Sequence, residues 1–167
     1  MYSFALTRRA MQTVEQALKS ERLAGLRLSD PACVPPGTSL REALAIMRRQ
    51  GVGCILVCEG SRVSGIFTER DVLNKLFGDH PVSEDEPVDA YMTPDPEMLL
   101  VTDTLGAAVQ LMTRRGLRHV PVLDPGGQRV GLVAARDIVR YIAEHFPAEV
   151  MNLPPALQQN FLTPEGA

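Results

Sequence analysis

No apolar run in the sequence approaches the roughly 18 residues that a membrane-spanning helix needs, and the opening stretch MYSFALTRRAMQ lacks the continuous apolar segment of a secretory signal. A cytoplasmic protein without membrane association is expected. Charge of one sign is not in excess either: the formal net charge is −3, with acids and bases interspersed, so no basic footprint points to nucleic acid or an anionic surface. Any anion site must be local. Cysteine is scarce and odd in number, at Cys33, Cys54 and Cys58, which argues against a disulfide framework. On one expected strand Cys54 and Cys58 would lie about 13 Å apart at about 3.3 Å per residue, too far to ligate one metal ion, so buried structural thiols are expected. Catalytic signatures are missing as well. There is no Gly-x-Ser-x-Gly, His-Glu-x-x-His or Walker-type lysine loop, and His80, His119 and His145 do not cluster at ligand spacing. The acidic run Glu84-Asp85-Glu86 reads as solvated linker, and no catalytic residue, metal or enzymatic activity is expected.

What the chain does contain is a repeat with one altered copy. Ser64-Gly-Ile-Phe-Thr-Glu-Arg-Asp71 returns as Val130-Gly-Leu-Val-Ala-Ala-Arg-Asp137. Around each motif the same element order recurs. Cys33-Val34 is extended between prolines; Leu40, Ala43, Leu44 and Met47 form one face of a helix that Thr38 or Ser39 can cap and Gly51 ends. Gly53 to Cys58 is an apolar strand, Glu59-Gly60-Ser61 a turn, Arg62 to Phe67 its hairpin partner, and a helix over about Arg70 to Phe77 stops at Gly78. After an acidic, proline-bounded linker at 79–87, Met98 to Val101, Leu105 to Arg115, Val120 to Leu123, Arg129 to Val133 and Asp137 to Phe146 repeat the series. Asp30, Pro31, Leu40, Ala43, Met47, Gly51 and Val57 meet Asp95, Pro96, Leu105, Ala108, Met112, Gly116 and Val122, 65 positions on, and one extra residue in the second hairpin turn makes the offset 66 thereafter.

The expected fold is α+β, with two β-α-β-β-α repeats that bury together what neither could bury alone. Residues 1–25 form an amphipathic helix, 26–78 and 88–146 the repeats, and 147–167 a proline-rich tail. From Thr7 to Leu23 the apolar stripe Ala10, Met11, Val14, Ala17 and Leu18 either covers the repeat core or meets another chain, the former being the simpler reading.

Thr68 and Asp71 set a hydroxyl and a carboxylate at a strand-to-helix turn, where helix N–H groups favour phosphate and a carboxylate can accept from ribose hydroxyls. The same Thr-x-x-Asp spacing also makes a capping box, which by itself would account for both residues. In the second copy Ala134 has lost the hydroxyl while Asp137 remains, so that cleft is expected to be weaker or empty.

Val88-Asp-Ala-Tyr-Met-Thr-Pro94, Thr104-Leu-Gly-Ala-Ala108, Arg118-His-Val-Pro-Val122 and the two Gly-x-x-x-x-Arg-Asp hairpin ends together resemble a tandem pair of CBS domains, or Bateman module, over roughly Leu26 to Tyr141. That resemblance implies pseudo-twofold symmetry, self-association as a homodimer, and clefts for adenosine compounds: AMP, ADP or ATP, with S-adenosylmethionine or NAD as further options. It implies that Thr68 and Asp71 hold the nucleotide, and that Arg118 and His119, matched by Gly53 and Cys54 in the first copy, reach its phosphates from the other repeat. Arg70 and Arg136 are further candidates for phosphate or for surface ion pairs. Regulation of an enzyme or transporter in trans is implied; a ligand-free dimerisation or interaction scaffold is the alternative.

Overall fold

The computed structural model describes residues 13–77 and 82–151. The start of the N-terminal helix, the Gly78 stop, His80 with the first part of the linker, and the tail beyond Met151 lie outside the described residues. The first helix, α1 (Val14–Ser20), opens on a capping box between Thr13 and Gln16. Strand β1 (Cys33–Val34) leads to α2 (Leu40–Gln50), which Ser39 caps and Gly51 ends at φ 62°, a left-handed conformation that suits glycine. Strands β2 (Cys54–Glu59) and β3 (Arg62–Thr68) form the hairpin, and β3 runs into a single α-turn, α3 (Glu69–Asp71).

The second repeat contributes β4 (Thr93–Pro94), β5 (Leu99–Leu100), α4 (Leu105–Arg115), β6 (His119–Leu123), β7 (Arg129–Ala134) and α5 (Ala135–His145), followed by a short α6 (Pro147–Met151). Here Thr104 caps α4 and Gly116 closes it at φ 64°, as Ser39 and Gly51 do in the first copy. The described residues make two sheets, ordered β1-β2-β3-β4 and β5-β6-β7. In each, the strand before the helix pairs parallel with the strand after it, the arrangement a strand-helix-strand crossover requires. Both hairpins shift register at one place, between Val57 and Cys58 and between Val122 and Leu123.

The repeats exchange their leading segments. Short 3-10 turns at Leu23–Gly25 and Val88–Ala90 correspond at the 65-residue offset, so the duplication reaches back beyond the first strand. Val88, fully buried, lies in the core of the first repeat with Leu40, Ile55 and Phe67; Leu23, equally buried, lies in the core of the second with Leu105, Val120 and Val133. Main-chain bonds repeat the exchange: Leu40 N–H donates to Glu86 O and Leu105 N–H to Glu21 O, at 2.9 and 2.8 Å. The part of the linker before Val88 is therefore docked on the start of α2 and is not free chain. On the hairpins, β4 pairs with Gly65 and Ile66, and Ser29 bridges to Leu132. Where these segments cross, a Cβ on Gly65 would lie 2.0 Å from Sδ of the Met92 side chain, and one on Gly131 3.0 Å from the main-chain oxygen of Ser29. Between the sheets a third cluster of Cys54, Leu56, Cys58, Val63, Ile66, Leu132 and Ala134 joins the repeats.

Two expectations are corrected. Cys33 and Cys58 are paired as a disulfide, with Cα atoms 5.8 Å apart, because parallel pairing of β1 with β2 aligns Cys33 with Leu56, one alternation from Cys58 on the same face. Only Cys54 fits the reading as a buried thiol, and burial pushes its pKa up to about 12. The helix expected over about Arg70 to Phe77 is α-helical only through Asp71, and then winds as a π-turn from Val72 to Leu76. Its counterpart α5 stays regular over 11 residues.

Helix α1 covers the repeat core, with Ala17 buried against the cluster that holds Leu105, Ala108 and Met112. The contact is tight, for a Cβ at Gly106 would lie 2.7 Å from the main-chain oxygen of Leu18. In an open helix Gly→Ala stabilises by up to about 1 kcal/mol. At this site the sign reverses: Gly106→Ala lowers stability by about 1–3 kcal/mol in chemical denaturation, the usual scale of overpacking. A stabilised variant would show that α1 does not sit on α4 in solution.

Candidate functional site

The described residues enclose a cleft of about 420 Å³ at the junction of the repeats. The first repeat supplies Gly53, Thr68, Glu69, Arg70 and Asp71; the second supplies Thr93, Asp95 and Glu97 from its crossing segment, and Arg115 to His119 from the end of α4 and the start of β6. Five sequence-selected residues, Thr68, Arg70, Asp71, Arg118 and His119, thus line a single cavity. Arg136 and Asp137 do not.

Thr68 ends β3 and caps the turn that follows. Asp71, buried at the base of the cleft, accepts through Oδ2 from the Thr68 hydroxyl at 2.8 Å and the Thr68 N–H at 2.9 Å. Its Oδ1 faces Lys75 Nζ at 2.7 Å. The ammonium also donates to Tyr91 O at 2.6 Å and to Met92 O at 3.4 Å, tying the carboxylate to the crossing segment of the other repeat. The helix N–H groups expected to face phosphate are partly engaged already: Glu69 N–H donates to Gly53 O at 3.0 Å, and Asp71 N–H contacts Thr68 Oγ1 at 3.4 Å. Positive charge in the cleft therefore comes from side chains. Arg70 bonds not to a glutamate but to Gly116 O, at 2.8 Å, and so clasps the C-terminus of α4. Arg115 pairs with Glu97 at 2.9 Å, while Arg118 is exposed.

His119 is partly buried beside Gly53, where a Cβ would come within 3.3 Å of its Cε1 and 3.2 Å of Glu69 Oε2. Burial lowers its pKa, with Arg136 and Arg118 acting in the same direction against the weaker pull of Glu69 and Asp137. The ring is held toward its neutral form.

At the second motif the surroundings differ. Asp137 accepts from Ala134 N–H at 2.9 Å, from the Ser29 hydroxyl at 3.3 Å and from Arg140 at 3.0 Å. Ser29, carried in by the other exchanged segment, thus supplies the hydroxyl that Ala134 lacks. Asp137 borders a hollow of only about 200 Å³, with Arg140, Tyr141 and Glu144. Arg136 is exposed on the turn beyond β7.

Glu69, Lys75, Glu97 and Arg115 were not singled out in the sequence. The repeat alignment carried a signal for the last two, since Ala32 and Gln50 occupy their positions in the first copy. For Lys75 the signal was its i,i+4 spacing from Asp71, whereas its main-chain acceptors 16 and 17 residues away left none.

Residues 25–78 and 88–144 each match the family model of the CBS domain. A 17.7 kDa protein of Acidianus ambivalens is 31% identical over 112 residues, 66% of this chain and 66% of its own. A mitochondrial CBS domain-containing protein of Arabidopsis thaliana is 30% identical over 125 residues, 72% of this chain and 60% of its own, so the chain spans only part of that relative. Among solved structures, a CBS domain protein of Pyrobaculum aerophilum complexed with AMP is 25% identical, with a TM-score of 0.65 over 74% of this chain and 98% of that one.

Because His119 has a lowered pKa when folded, acidification protonates the unfolded chain first. The stability it confers is full above the unfolded value of about 6.5 and is lost as pH falls through the folded value. Melting temperatures taken between about pH 7.5 and pH 5.5 should therefore fall less steeply for His119→Gln than for the parent. Parallel curves would mean that His119 is as well solvated in the fold as in the unfolded chain.

Proposed function

The chain belongs to the CBS domain family, and on that premise we propose that it is a regulatory sensor module that binds an adenosine-containing nucleotide in the cleft between its repeats. The observation that carries this reading is the convergence on one cavity of Thr68 and Asp71 from the first repeat with Arg118 and His119 from the second. In this reading Asp71 receives the ribose hydroxyls, with Thr68 beside it, and Arg118 and His119 meet phosphate. Arg70 holds the end of α4 in place beside them. AMP in the Pyrobaculum relative supports the ligand class; ADP and ATP belong to it, and S-adenosylmethionine or NAD share the same adenosine moiety. The ligand acts as an effector, not a catalytic cofactor. The twin site at Asp137 and Arg136 stays weak, since the hollow beside Asp137 is only about 200 Å³ and Arg136 does not line it.

In this reading the chain is a cytoplasmic module that acts in trans on an enzyme or transporter, without nucleic acid; no described helix is long and apolar enough to cross a membrane. Homodimerisation is supported by two apolar residues at matched positions, Leu73 and Val139, which are 67% and 66% exposed after the two motifs, with Phe77 exposed near the first. A ligand-free scaffold is favoured by one observation: both carboxylate oxygens of Asp71 have partners within the chain, Thr68 and Lys75.

Two measurements divide these readings. In protein freed of carried-over ligand, AMP at 100 times its dissociation constant should stabilise the fold by about 2.7 kcal/mol; Asp71→Ala should abolish that gain and Asp137→Ala should leave it nearly intact. A scaffold would show no gain at all, and the reverse order of the variants would move the site to the twin cleft. In sedimentation, Leu73→Glu combined with Val139→Glu should convert dimer to monomer, whereas an unaltered dimer would exclude these helices from the interface.

A further inference from the structure

The charges around the cleft do more than admit a phosphate. Of its three arginines, Arg70 is engaged with Gly116 O at 2.8 Å and Arg115 with Glu97 at 2.9 Å. Among the described residues Arg118 is the cleft arginine left without a hydrogen-bond or ion-pair acceptor. Carboxylates stand close by: Glu97 and Asp95 on the crossing segment and Glu69 beside His119. Asp95 is fixed there, at a left-handed φ of 43°, by its N–H bond to Ser64 O at 3.0 Å, and its carboxylate has one distant cation, Arg62, at 3.9 Å. His119 is held toward neutrality and adds little charge of its own.

We infer that this cleft selects a nucleoside monophosphate over the corresponding triphosphate, and that Glu97 is the specificity-determining residue. The inference rests on the adenosine reading above. One phosphate can be met by Arg118 with His119 beside it; a longer phosphate chain must either recruit Arg115 at the cost of its ion pair with Glu97 or lie against the rim carboxylates, where like charges repel it. The twin repeat has no such filter, for Ala32 and Gln50 stand where Glu97 and Arg115 do.

The test is calorimetric titration of the full chain and of Glu97→Gln with AMP and ATP, each with and without Mg²⁺. The parent should bind AMP roughly tenfold or more tightly than ATP. Glu97→Gln should narrow that preference about threefold to fivefold, the scale of one exposed ion pair, by gaining ATP affinity and not by losing AMP. Glu97 is exposed on the rim, and equal melting temperatures of the two unliganded proteins would confirm that folding is unaffected. ATP bound as tightly as AMP by the parent, with or without Mg²⁺, overturns the inference while leaving the adenosine reading intact. So does an unchanged ratio in the variant. Failure of the parent to bind either nucleotide overturns both.

Discussion

Exchange of the leading segments is the constraint on which the rest of the structure depends. Neither repeat completes its own core: Val88 fills the first and Leu23 the second, and each helix after a leading segment receives its first main-chain acceptor from the other repeat. The two therefore fold as one unit, with the Met92 side chain packed against Gly65 and the main chain of Ser29 close over Gly131. The same crossing creates the cleft. Thr93, Asp95 and Glu97 reach the wall opposite Thr68 only because the chain between Val88 and Glu97 runs across the first hairpin. Packing and site thus share a cause, and damage to the crossing is expected to damage both.

Asymmetry between the copies then decides what each cleft can do. In the first, small Gly53 leaves space that His119 enters, and the far wall is polar. In the second, Leu28 and Ser29 press against Gly131 and Asp137, and Arg140 lies over the remaining carboxylate oxygen. Both aspartates are buried and partnered, so carboxylate burial does not distinguish the sites. What distinguishes them is the volume left beside each aspartate and the cationic groups that look into it.

Much of this was legible in the sequence because local rules fix it. Cap residues, left-handed glycines at helix ends and apolar spacing gave the β-α-β-β-α order twice, and the change of Thr68 to Ala134 marked the asymmetry. Long-range geometry was not legible. The pairing of Cys33 with Cys58 depends on strand register, which a buried apolar run does not specify. The hydroxyl supplied to Asp137 by Ser29 comes from 108 residues away. The i,i+4 spacing of Asp71 and Lys75 allows their ion pair to be read, but not the Tyr91 and Met92 carbonyls that Lys75 also meets. The π-winding after Asp71 has no evident cause in Val72-Leu-Asn-Lys-Leu76, and the structure offers no physical account of it.

The central claim is that one cavity, built from both repeats, holds the ligand. Its most direct test is titration of the isotopically labelled full chain with AMP, followed by amide NMR. Saturable shifts confined to Thr68–Asp71 in the first repeat and to Thr93–Glu97 and Arg115–His119 in the second, with Ala134–Asp137 unmoved, are the predicted result. Shifts centred on Asp137, or limited to one repeat, would contradict it.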